Sequence, residues 1–358
     1  MLFMRITDLP EYDNHQAILF GADKKTGLKS FIAIHNTNLG PAAGATRYWH
    51  YVSETDALRD ALRLSRLMSY KAALADVPFG GGKAIIMAEQ GVKKNRALLH
   101  AYVKKVNMLG GIFYTGEDVG LNKDDVKIMA EASPYVIGKT KVSGNSAHWT
   151  ALGIIGAMEA ALAEVFGSDK IRDRKFAIKG LGKVGLELCG LIYYRGGRVW
   201  AADIDTATAK KAQKTFPRIT LTKACDIHKQ KVDVYSPCAL GGEFDKISIK
   251  QICAGIICGG ANNQLGFLGA GREIQSRGIL YVPDYLANAG GLISVVAELN
   301  KGGYDRKWVE VKIAGIKTTA QRIIGLSKKN NKPTSEIADS HAESIFRKPG
   351  RVHYNSRR

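Results

Sequence analysis

The spacing of apolar residues predicts a helix followed by a buried strand in the first quarter of the chain. The hydroxyl of Ser53 can cap this helix together with Asp56, and Pro78 requires that it end earlier. Gly80 to Gly82 come next, followed by Lys83 and an apolar run, 84–87, with the pattern of a buried strand. Within the helix, apolar side chains recur every three or four residues, as on a helix with one buried face, at Ala57, Leu58, Ala61, Leu62, Leu64, Leu67 and Met68.

Two lysines lie in this stretch where a charged side chain is unexpected. Lys71 follows Met68 by three residues and so falls on the apolar face, and Lys83 opens the buried strand. Burial and a like charge both lower the pKa of a lysine, by as much as ~3 to 5 when burial is complete, so one lysine can act as a general base while the other binds an anion. The three glycines are interpreted as backbone that approaches a ligand closely. The alternative is that either lysine extends its ammonium group to water.

A second cluster of signals surrounds this stretch. Residues 112–114 predict a buried strand that ends just before Asp118, and strand ends are where α/β enzymes present catalytic groups. Asp118 could orient water near the two lysines; the alternative is a helix cap, since residues 122–125 lead into another helix. Backbone that must bend tightly or approach another group is indicated at Gly40, Pro41 and Gly44.

The chain changes character near residue 145. Residues 143–150, SGNSAHWT, are small and polar, as in a loop between domains, and an apolar helix from Ala151 to Phe166 follows. The next elements are a strand at 176–178, the glycines Gly180, Gly182 and Gly185, a helix at 184–194, and a strand at 199–202 that ends at Asp203.

This order of strand, glycines, helix, strand and acid predicts a dinucleotide-binding site. The glycines permit a tight turn and close approach to a pyrophosphate, and the helix N-terminus supplies amides and a positive dipole. Asp203 follows Gly185 at about the separation, roughly 20 residues, expected of the carboxylate that binds the adenosine ribose. Because a carboxylate there disfavours a 2′-phosphate, we expect NAD as the cofactor rather than NADP.

Further strands at 232–235, 255–258 and 278–282 repeat the parallel pattern, and each is followed by small or amide residues. In an open parallel sheet the carboxyl ends of the strands line one crevice. The residues expected to face cofactor or substrate there are Cys238, Ala239, Asn262, Asn263 and Asn288. Each asparagine could instead bond only its own loop.

Composition narrows the class of protein. The 358 residues are 45% hydrophobic and 24% charged, which is ordinary for a globular chain of two domains. The net charge of +19 would suit nucleic acid, but the basic residues are scattered and do not alternate with aromatics, so a solvated surface is favoured. Five cysteines without a CxxC pair are expected to be reduced core thiols, and neither disulfides nor a metal site is expected. We also expect no membrane-spanning run and, without a signal segment, a cytoplasmic location.

Several motifs together carry a family resemblance: PFGGGKAII after MSYKAA, then GEDVG, GLGKVG, SPCALGG, GGANNQL and PDYLANAGGLI. Over nearly its whole length the chain resembles the NAD-dependent amino acid dehydrogenases of the Glu/Leu/Phe/Val family, in particular the leucine, valine and phenylalanine branch. The resemblance implies an α/β fold of two domains with an active-site cleft between them that opens and closes. Residues 1–144, completed by about 326–358, would form the substrate-binding and oligomerisation domain, and 145–325 the Rossmann-type NAD-binding domain. It also implies a homo-oligomer, an octamer or a dimer.

The resemblance assigns roles to individual residues. Lys83 would be the catalytic base, assisted by Asp118, and Lys71 would bind the substrate carboxylate. The implied substrate-binding set is Lys71, Gly44, Asn262, Asn288, Gly116, Leu292, Val295 and Ala43. The implied cofactor-binding set is Gly180, Gly182, Lys183, Val184, Gly185, Asp203, Cys238, Ala239, Asn262 and Thr150. At residues 146–149 the chain departs from a proline-containing turn usual in the family, and His148 is interpreted as a loop variant rather than a catalyst.

The implied reaction is oxidative deamination of an apolar L-amino acid. Hydride passes from Cα to NAD, water activated by a lysine attacks the resulting iminium, and a 2-oxo acid and ammonia are released; the reverse is reductive amination. The alternative is a catalytically inactive, dinucleotide-binding regulatory protein whose basic surface binds nucleic acid. The presence of Lys71, Lys83 and Asp118 argues against that alternative.

The side-chain pocket of the family is shaped by the positions of Gly116 and Leu292. Leucine-specific members of the family have alanine and valine at these two positions, whereas phenylalanine-specific members are similar to this chain there. Ala43 stands where a larger aliphatic residue is usual. These features predict that phenylalanine or another bulky apolar amino acid is turned over at least comparably to leucine. Leucine, valine and isoleucine stay open as substrates, because one methyl group changes discrimination by only ~1 to 3 kcal/mol.

Overall fold

The computed structural model describes residues 5–138 and 144–348, and the chain divides into two compact units. The first comprises Met1–Gly144, Val295–Asp305 and Ala342–Arg358, and the second comprises Asn145–Ser294 and Arg306–His341. The C-terminal segment expected to complete the first domain from about residue 326 therefore joins the first unit only from residue 342.

Within the described residues, the first unit is built on a six-stranded mixed sheet. Its elements, in chain order, are β1 (Ala17–Asp23), β2 (Leu28–Asn36), β3 (Ala42–Ala43), β4 (Thr46–Trp49), α1 (Glu54–Leu74), β5 (Gly80–Met87), α2 (Arg96–Asn107), β6 (Phe113–Tyr114) and α3 (Lys123–Ala132). The strands lie in the order β1-β2-β5-β3-β6, and β4 also pairs with β5. β2 runs antiparallel to both of its neighbours, β1 and β5, whereas β3 and β4 run parallel to β5.

The predicted helix and strand of the first quarter, α1 and β5, are confirmed. The Ser53 side chain accepts a hydrogen bond from the backbone N–H of Asp56, and α1 ends at Leu74. β5 is buried at every position because each of its faces meets a core. Ile85 packs with α1 on one face, and Ile86 packs with α2 on the other.

Two buried histidines of the first unit, His15 and His35, lie edge to face with ring centroids 4.9 Å apart. The Nδ1 atom of His35 bonds Ser69 Oγ at 2.7 Å, and its Nε2 atom lies 3.3 Å from an oxygen of Asp13. Burial lowers the pKa of His35 to about 4; His15 adds to this shift, and Asp13 opposes it.

We expect the urea concentration at the unfolding midpoint to fall as the pH is lowered from about 6.5 to about 4, the interval between the histidine pKa values of unfolded and folded chain. In this interval the unfolded chain binds a proton at residue 35 and the folded chain does not, so stabilisation is complete above the interval and is lost within it. The slope can reach ~1.4 kcal/mol per pH unit for one histidine. His35→Gln should flatten the dependence, and an equally steep curve for that variant would contradict the assignment.

The second unit contains a parallel sheet in the described residues, with the strand order β12-β11-β10-β7-β8-β9. Its elements begin with α4 (Ser146–Phe166), β7 (Lys175–Lys179), α5 (Lys183–Tyr194), β8 (Arg198–Ala202), α6 (Thr206–Thr215), β9 (Thr220–Leu221), β10 (Val232–Pro237), α7 (Ser248–Gln251), β11 (Ala254–Ile257), α8 (Ala270–Ser276) and β12 (Leu280–Tyr281). They continue with α9 (Asp284–Ala287), α10 (Gly290–Val296), α11 (Arg306–Asn330) and α12 (Thr334–Phe346); the last residues of α10 and α12 belong to the first unit. The predicted order of strand, glycine turn, helix and strand from β7 to β8 is confirmed.

The apolar helix α4 corrects two expectations. It begins at Ser146, so residues 146–150 are its first turns and not part of a loop between domains. By length and composition it could cross a membrane, contrary to the expectation that no such run exists. However, 56% of its most apolar 18-residue stretch is buried, and the helix packs against α5 and α11. That burial is typical of a core helix.

The cysteines are only partly the expected core thiols. Cys189 and Cys258 are buried, and Cys238 is half-buried, but Cys225 and Cys253 are exposed. All five are free thiols.

Candidate active-site residues

Lys83 and Asp118 form a close ion pair in the first unit. The Nζ atom of Lys83, on β5, lies 2.7 Å from Asp118 Oδ2, and only 8% of the lysine side chain is exposed. Burial by itself raises the pKa of Asp118, but the charges of Lys83 and Arg47 more than offset it and hold this pKa well below its usual range. The carboxylate is therefore ionised at neutral pH. The alternative of a helix cap is wrong, because Asn122 caps α3 in a capping box with Asp125.

Arg47 is a functional candidate that the sequence did not reveal. Its Nε atom donates to the same Oδ2 of Asp118 at 3.1 Å, and 20% of its side chain is exposed. Arg47 and Asp118 are 71 residues apart in the chain. The available signal in the sequence is a charged residue inside a short strand-like run, TRYW, shortly after the bends expected at Gly40, Pro41 and Gly44.

Lys71 lies in the last turn of α1 and is half-buried. α1 packs on β5, so the elements that carry Lys71 and Lys83 lie together in the first unit. Ala43 is the second residue of β3, fully buried, and Gly44 follows it, with its N–H donating to Tyr114 O at 3.0 Å.

The glycines before Lys83 have a different explanation from the one that the sequence suggested. They belong to β5, and a Cβ atom at Gly80 would lie 1.9 Å from Asn36 O, while one at Gly81 would lie 2.1 Å from Ser69 N. A Cβ atom at Gly44 would lie 1.7 Å from Gly82 O. The requirement for glycine at positions 44, 80 and 81 therefore comes from neighbouring backbone, and at Gly82 it comes from the ring of Phe113, so a ligand is not needed to explain it.

The positions expected to shape the side-chain pocket fall in both units. In the first, a Cβ atom at Gly116 would lie 3.0 Å from Ile137 O and 3.6 Å from Ile137 Cγ1, so the space beside Gly116 is filled. Ile137 was not among the predicted site residues. Val295, also in the first unit, has its Cγ1 atom 3.8 Å from where a Cβ of Gly138 would be, and Leu292, in the second, is buried on α10.

The glycine turn between β7 and α5 has a backbone that requires glycine at two of its three glycine positions. Gly180 has φ of 94°, which favours glycine, and a Cβ at Gly185 would lie 1.9 Å from Gly180 O. In contrast, among the described residues no atom beyond the adjoining chain lies within 4 Å of a Cβ position at Gly182, the N-cap of α5. Lys183 and Val184 open that helix. The turn thus combines an open cradle with the amides of a helix N-terminus.

Asp203, at the end of β8, supports this turn. Its Oδ2 atom accepts a hydrogen bond from Leu181 N at 2.7 Å, and its Oδ1 atom accepts one from Asp205 N at 2.9 Å. Cys238 and Ala239 border the same turn: a Cβ atom at Gly180 would lie 2.8 Å from Ala239 N. The carboxylate oxygens keep further lone pairs for a ribose hydroxyl.

Asn288 and Asn262 meet in the second unit. The Nδ2 atom of Asn288 donates to Asn262 Oδ1 at 2.9 Å and to Gly260 O at 3.2 Å. The Oδ1 atom of Asn288 is buried and has no hydrogen-bond partner within the described part of the chain. A buried acceptor of this kind is costly unless a ligand donor reaches it. Asn262 accepts its hydrogen bond from a residue 26 positions away, so it does not bond only its own loop.

The remaining predicted positions lie at the start of α4. The hydroxyl of Thr150 donates to Ser146 O at 2.8 Å, so it is available to a cofactor only as an acceptor. His148 is a helical residue rather than part of a loop, and its Nδ1 atom lies 3.0 Å from Glu187 Oε2. Among the described residues, no three His, Cys, Asp or Glu side chains are grouped as a metal site would require.

The parallel sheet with its glycine turn and acid, and the buried lysine–aspartate pair, together define the class of dinucleotide-binding dehydrogenases. The family model described as "Glu/Leu/Phe/Val dehydrogenase, dimerisation domain" matches residues 15–135. The family model described as "Glutamate/Leucine/Phenylalanine/Valine dehydrogenase" matches residues 202–323. The chain belongs to this family.

Similar proteins span nearly the whole chain. L-tryptophan dehydrogenase of Nostoc punctiforme is 41% identical over 92% of each chain, and leucine dehydrogenase of Geobacillus stearothermophilus is 38% identical over 95% of this chain and 93% of its own. Valine dehydrogenase of Streptomyces albus is 36% identical over 92% of this chain and 91% of its own. The crystal structure of L-tryptophan dehydrogenase from Nostoc punctiforme matches with a TM-score of 0.81 at 38% identity, over 94% of this chain and 96% of that one.

Proposed function

We propose that this protein catalyses the NAD-dependent oxidative deamination of an apolar L-amino acid to its 2-oxo acid and ammonia, and the reverse reductive amination. The observation that carries the proposal is the buried pair of Lys83 and Asp118, 2.7 Å apart, in a chain of the Glu/Leu/Phe/Val dehydrogenase family. Relatives of 36–41% identity are named for tryptophan, leucine and valine. The alternative of an inactive regulatory protein has no comparable observation in its favour.

The residues of the chain divide the work as follows. Lys71 binds the substrate carboxylate, whose charge persists throughout the reaction. Lys83 takes a proton from the water that attacks the iminium carbon, and Asp118 orients the Lys83 amine. Asn288 offers its buried Oδ1 atom to an N–H donor of the substrate or cofactor. NAD, when bound, would accept the hydride from the substrate Cα. Proton transfers of this kind accelerate a reaction roughly 10²- to 10⁴-fold each.

The direct test is the appearance of NADH with a panel of amino acids at alkaline pH, with leucine, valine, isoleucine, phenylalanine and tryptophan as the first members. The reverse reaction should consume NADH when a 2-oxo acid and ammonium are supplied together, but not with either alone. No turnover with any member, combined with salt-sensitive binding of nucleic acid, would favour the regulatory alternative.

NAD, rather than NADP, is the expected cofactor; the proposal is supported by Asp203, a carboxylate at the end of β8 that bonds the glycine turn. Asp203→Ala should reduce the ratio of kcat/KM for NAD over NADP by about tenfold or more, since it removes the repulsion of a 2′-phosphate. The same variant loses the acceptor of Leu181 N, so some loss of affinity for both cofactors is also expected. Asp205→Ala provides the control, because Asp205 caps α6 instead. If the cofactor ratio stays constant in Asp203→Ala, the acid does not lie at the ribose.

A bulky apolar amino acid is expected to be turned over at least comparably to leucine, because the family resemblance assigns to the pocket positions 43 and 116, where this chain has small residues. Ile137 fills the space directly beside Gly116, so room for a larger side chain would have to come from Ala43 and from a shift of Ile137. Gly116→Ala should shift the ratio of kcat/KM values toward leucine by about tenfold, the effect of one methyl in an apolar pocket. The added Cβ atom would crowd Ile137 O at 3.0 Å, so the melting temperature must be measured as well. A folded variant with an unchanged ratio would remove Gly116 from the pocket.

A homo-oligomer is expected because residues 15–135 match a dimerisation domain by name. Light scattering of the purified protein would give the subunit number, with a dimer and an octamer as the two expected values. We further propose a cytoplasmic location, consistent with the free thiols at all five cysteines.

A further inference from the structure

Arg47 and Lys83 bond the same oxygen of Asp118. Lys83 Nζ lies 2.7 Å from Oδ2, and Arg47 Nε lies 3.1 Å from it. Two cations therefore meet one carboxylate in a largely buried place. An arginine keeps its charge at every pH at which the protein is folded, whereas a lysine can release a proton. The two partners of Asp118 are thus chemically different: the charge of Arg47 is permanent, whereas a lysine amine can act as a base.

Arg47 is fixed from its other side by Asp60, on α1. The Nη1 atom of Arg47 donates to Asp60 Oδ2 at 2.8 Å, and the Tyr51 hydroxyl donates to the same oxygen at 2.7 Å. The Asp60 side chain is 11% exposed, so the guanidinium group is held between two carboxylates of low accessibility. A planar guanidinium can bridge two such groups in one orientation, which a lysine cannot do.

The backbone around Arg47 already holds the loop that carries Asp118. Thr46 N donates to Gly116 O at 2.9 Å, and Tyr48 N donates to Val119 O at 2.9 Å. β4 also pairs in parallel with β5, opposite the residues that follow Lys83. Because these main-chain bonds persist without the Arg47 side chain, the guanidinium group is not required to keep the Asp118 loop beside β5.

We infer that Arg47 is a positioning residue of the reaction, which orients the Asp118 carboxylate toward Lys83 and neutralises it whenever Lys83 has released its proton. This inference rests on the proposed function, in which Lys83 is the general base. Without Arg47, release of the Lys83 proton would leave Asp118 as an unpaired buried anion, and the carboxylate would oppose that release. With Arg47 in place, Asp118 keeps one cation in both protonation states of Lys83.

The test compares Arg47→Met with Arg63→Met. Arg63 also bonds Asp60, at 2.7 Å, but through Oδ1 and from a side chain that is 49% exposed, and it has no hydrogen bond or ion pair with Asp118 among the described residues. We expect Arg47→Met to lower kcat roughly 10- to 100-fold near neutral pH and to move the acidic limb of the kcat/KM profile up by about one pH unit, while KM for NAD changes less than about threefold. Arg63→Met should retain activity within about threefold.

A second pair of variants keeps the inference testable if Arg47→Met folds poorly. Arg47→Lys preserves the charge but cannot bridge both carboxylates, so it should restore the pH profile more fully than kcat. Asp60→Asn leaves Arg47 in place with a weaker anchor, so it should lower kcat less than Arg47→Met does and in the same direction. A folded Arg47→Met or Asp60→Asn enzyme with wild-type kcat and pH profile would overturn the inference. The absence of turnover in the unmodified protein would instead overturn the proposed function.

Discussion

Replacing Lys83 with alanine lowers kcat by at least ~100-fold, as expected for removal of a general base, while NAD affinity and the melting temperature change little. The fold should tolerate this change because Asp118 keeps Arg47 as a partner at 3.1 Å, so that no buried carboxylate is left alone. Stopped-flow or steady-state kinetics with the preferred amino acid would measure kcat, and fluorescence titration would measure NAD binding.

The first unit offers a closely matched control for this variant. Lys94 Nζ lies 2.7 Å from an oxygen of Asp125, the same distance as in the Lys83–Asp118 pair, but this second pair joins the loop before α2 to the cap of α3. Lys94→Ala should therefore cost stability rather than turnover. If Lys83→Ala keeps near-normal turnover, Lys83 takes no part in the chemistry.

Replacing Lys71 with alanine raises KM for the amino acid by roughly 10- to 100-fold and changes kcat much less. A charge-assisted hydrogen bond to the substrate carboxylate is worth ~1.5 to 3 kcal/mol, and this charge is present in the ground state and in the transition state alike. The end of α1 should remain in place, because the neighbouring Tyr70 is fully buried and its hydroxyl bonds Glu343 at 2.5 Å.

Lys104→Ala is the corresponding control for Lys71. Both lysines lie in the last turn of a helix, where a cation interacts favourably with the helix dipole, but Lys104 lies in that of α2 and is exposed. The two variants should lose similar, small amounts of helix stability. An unchanged KM in Lys71→Ala would place the substrate carboxylate elsewhere.

The parts of the fold that the sequence predicted correctly are those in which local pattern and burial agree. α1 has a cap, a continuous apolar face and a proline beyond its end, and β5 is apolar because both faces of the sheet are covered. The glycine turn of the second unit was equally predictable, since Gly180 and Gly185 each answer a steric demand of the same turn and Gly182 leaves the start of α5 open. In both cases neighbouring residues carry the whole signal.

The missed features depend on contacts between distant segments. Arg47 meets Asp118 only because β4 pairs with β5 and bonds the loop after β6, and no local pattern reports such pairing. Ile137 closes on Gly116 through a loop 21 residues further along, so a missing side chain at position 116 does not by itself mean empty space. The polar run before α4 predicted a loop because Ser, Asn and His favour helix ends, and the helix that they open could not be seen from composition.

The division of the chain into interleaved units has a consequence for biosynthesis. The first unit receives residues 295–305 only after residues 145–294 of the second unit have been translated, and residues 342–348 only after the whole second unit has been translated. Among the bonds that wait for these segments are the one from Gly138 N to Glu298, at 3.0 Å, and the one from Asn38 to Phe346 O, at 2.9 Å. The first unit thus begins to leave the ribosome before the second but is completed last. A stop codon near the 3′ end of the message would remove contacts from a fold that began more than 300 residues earlier.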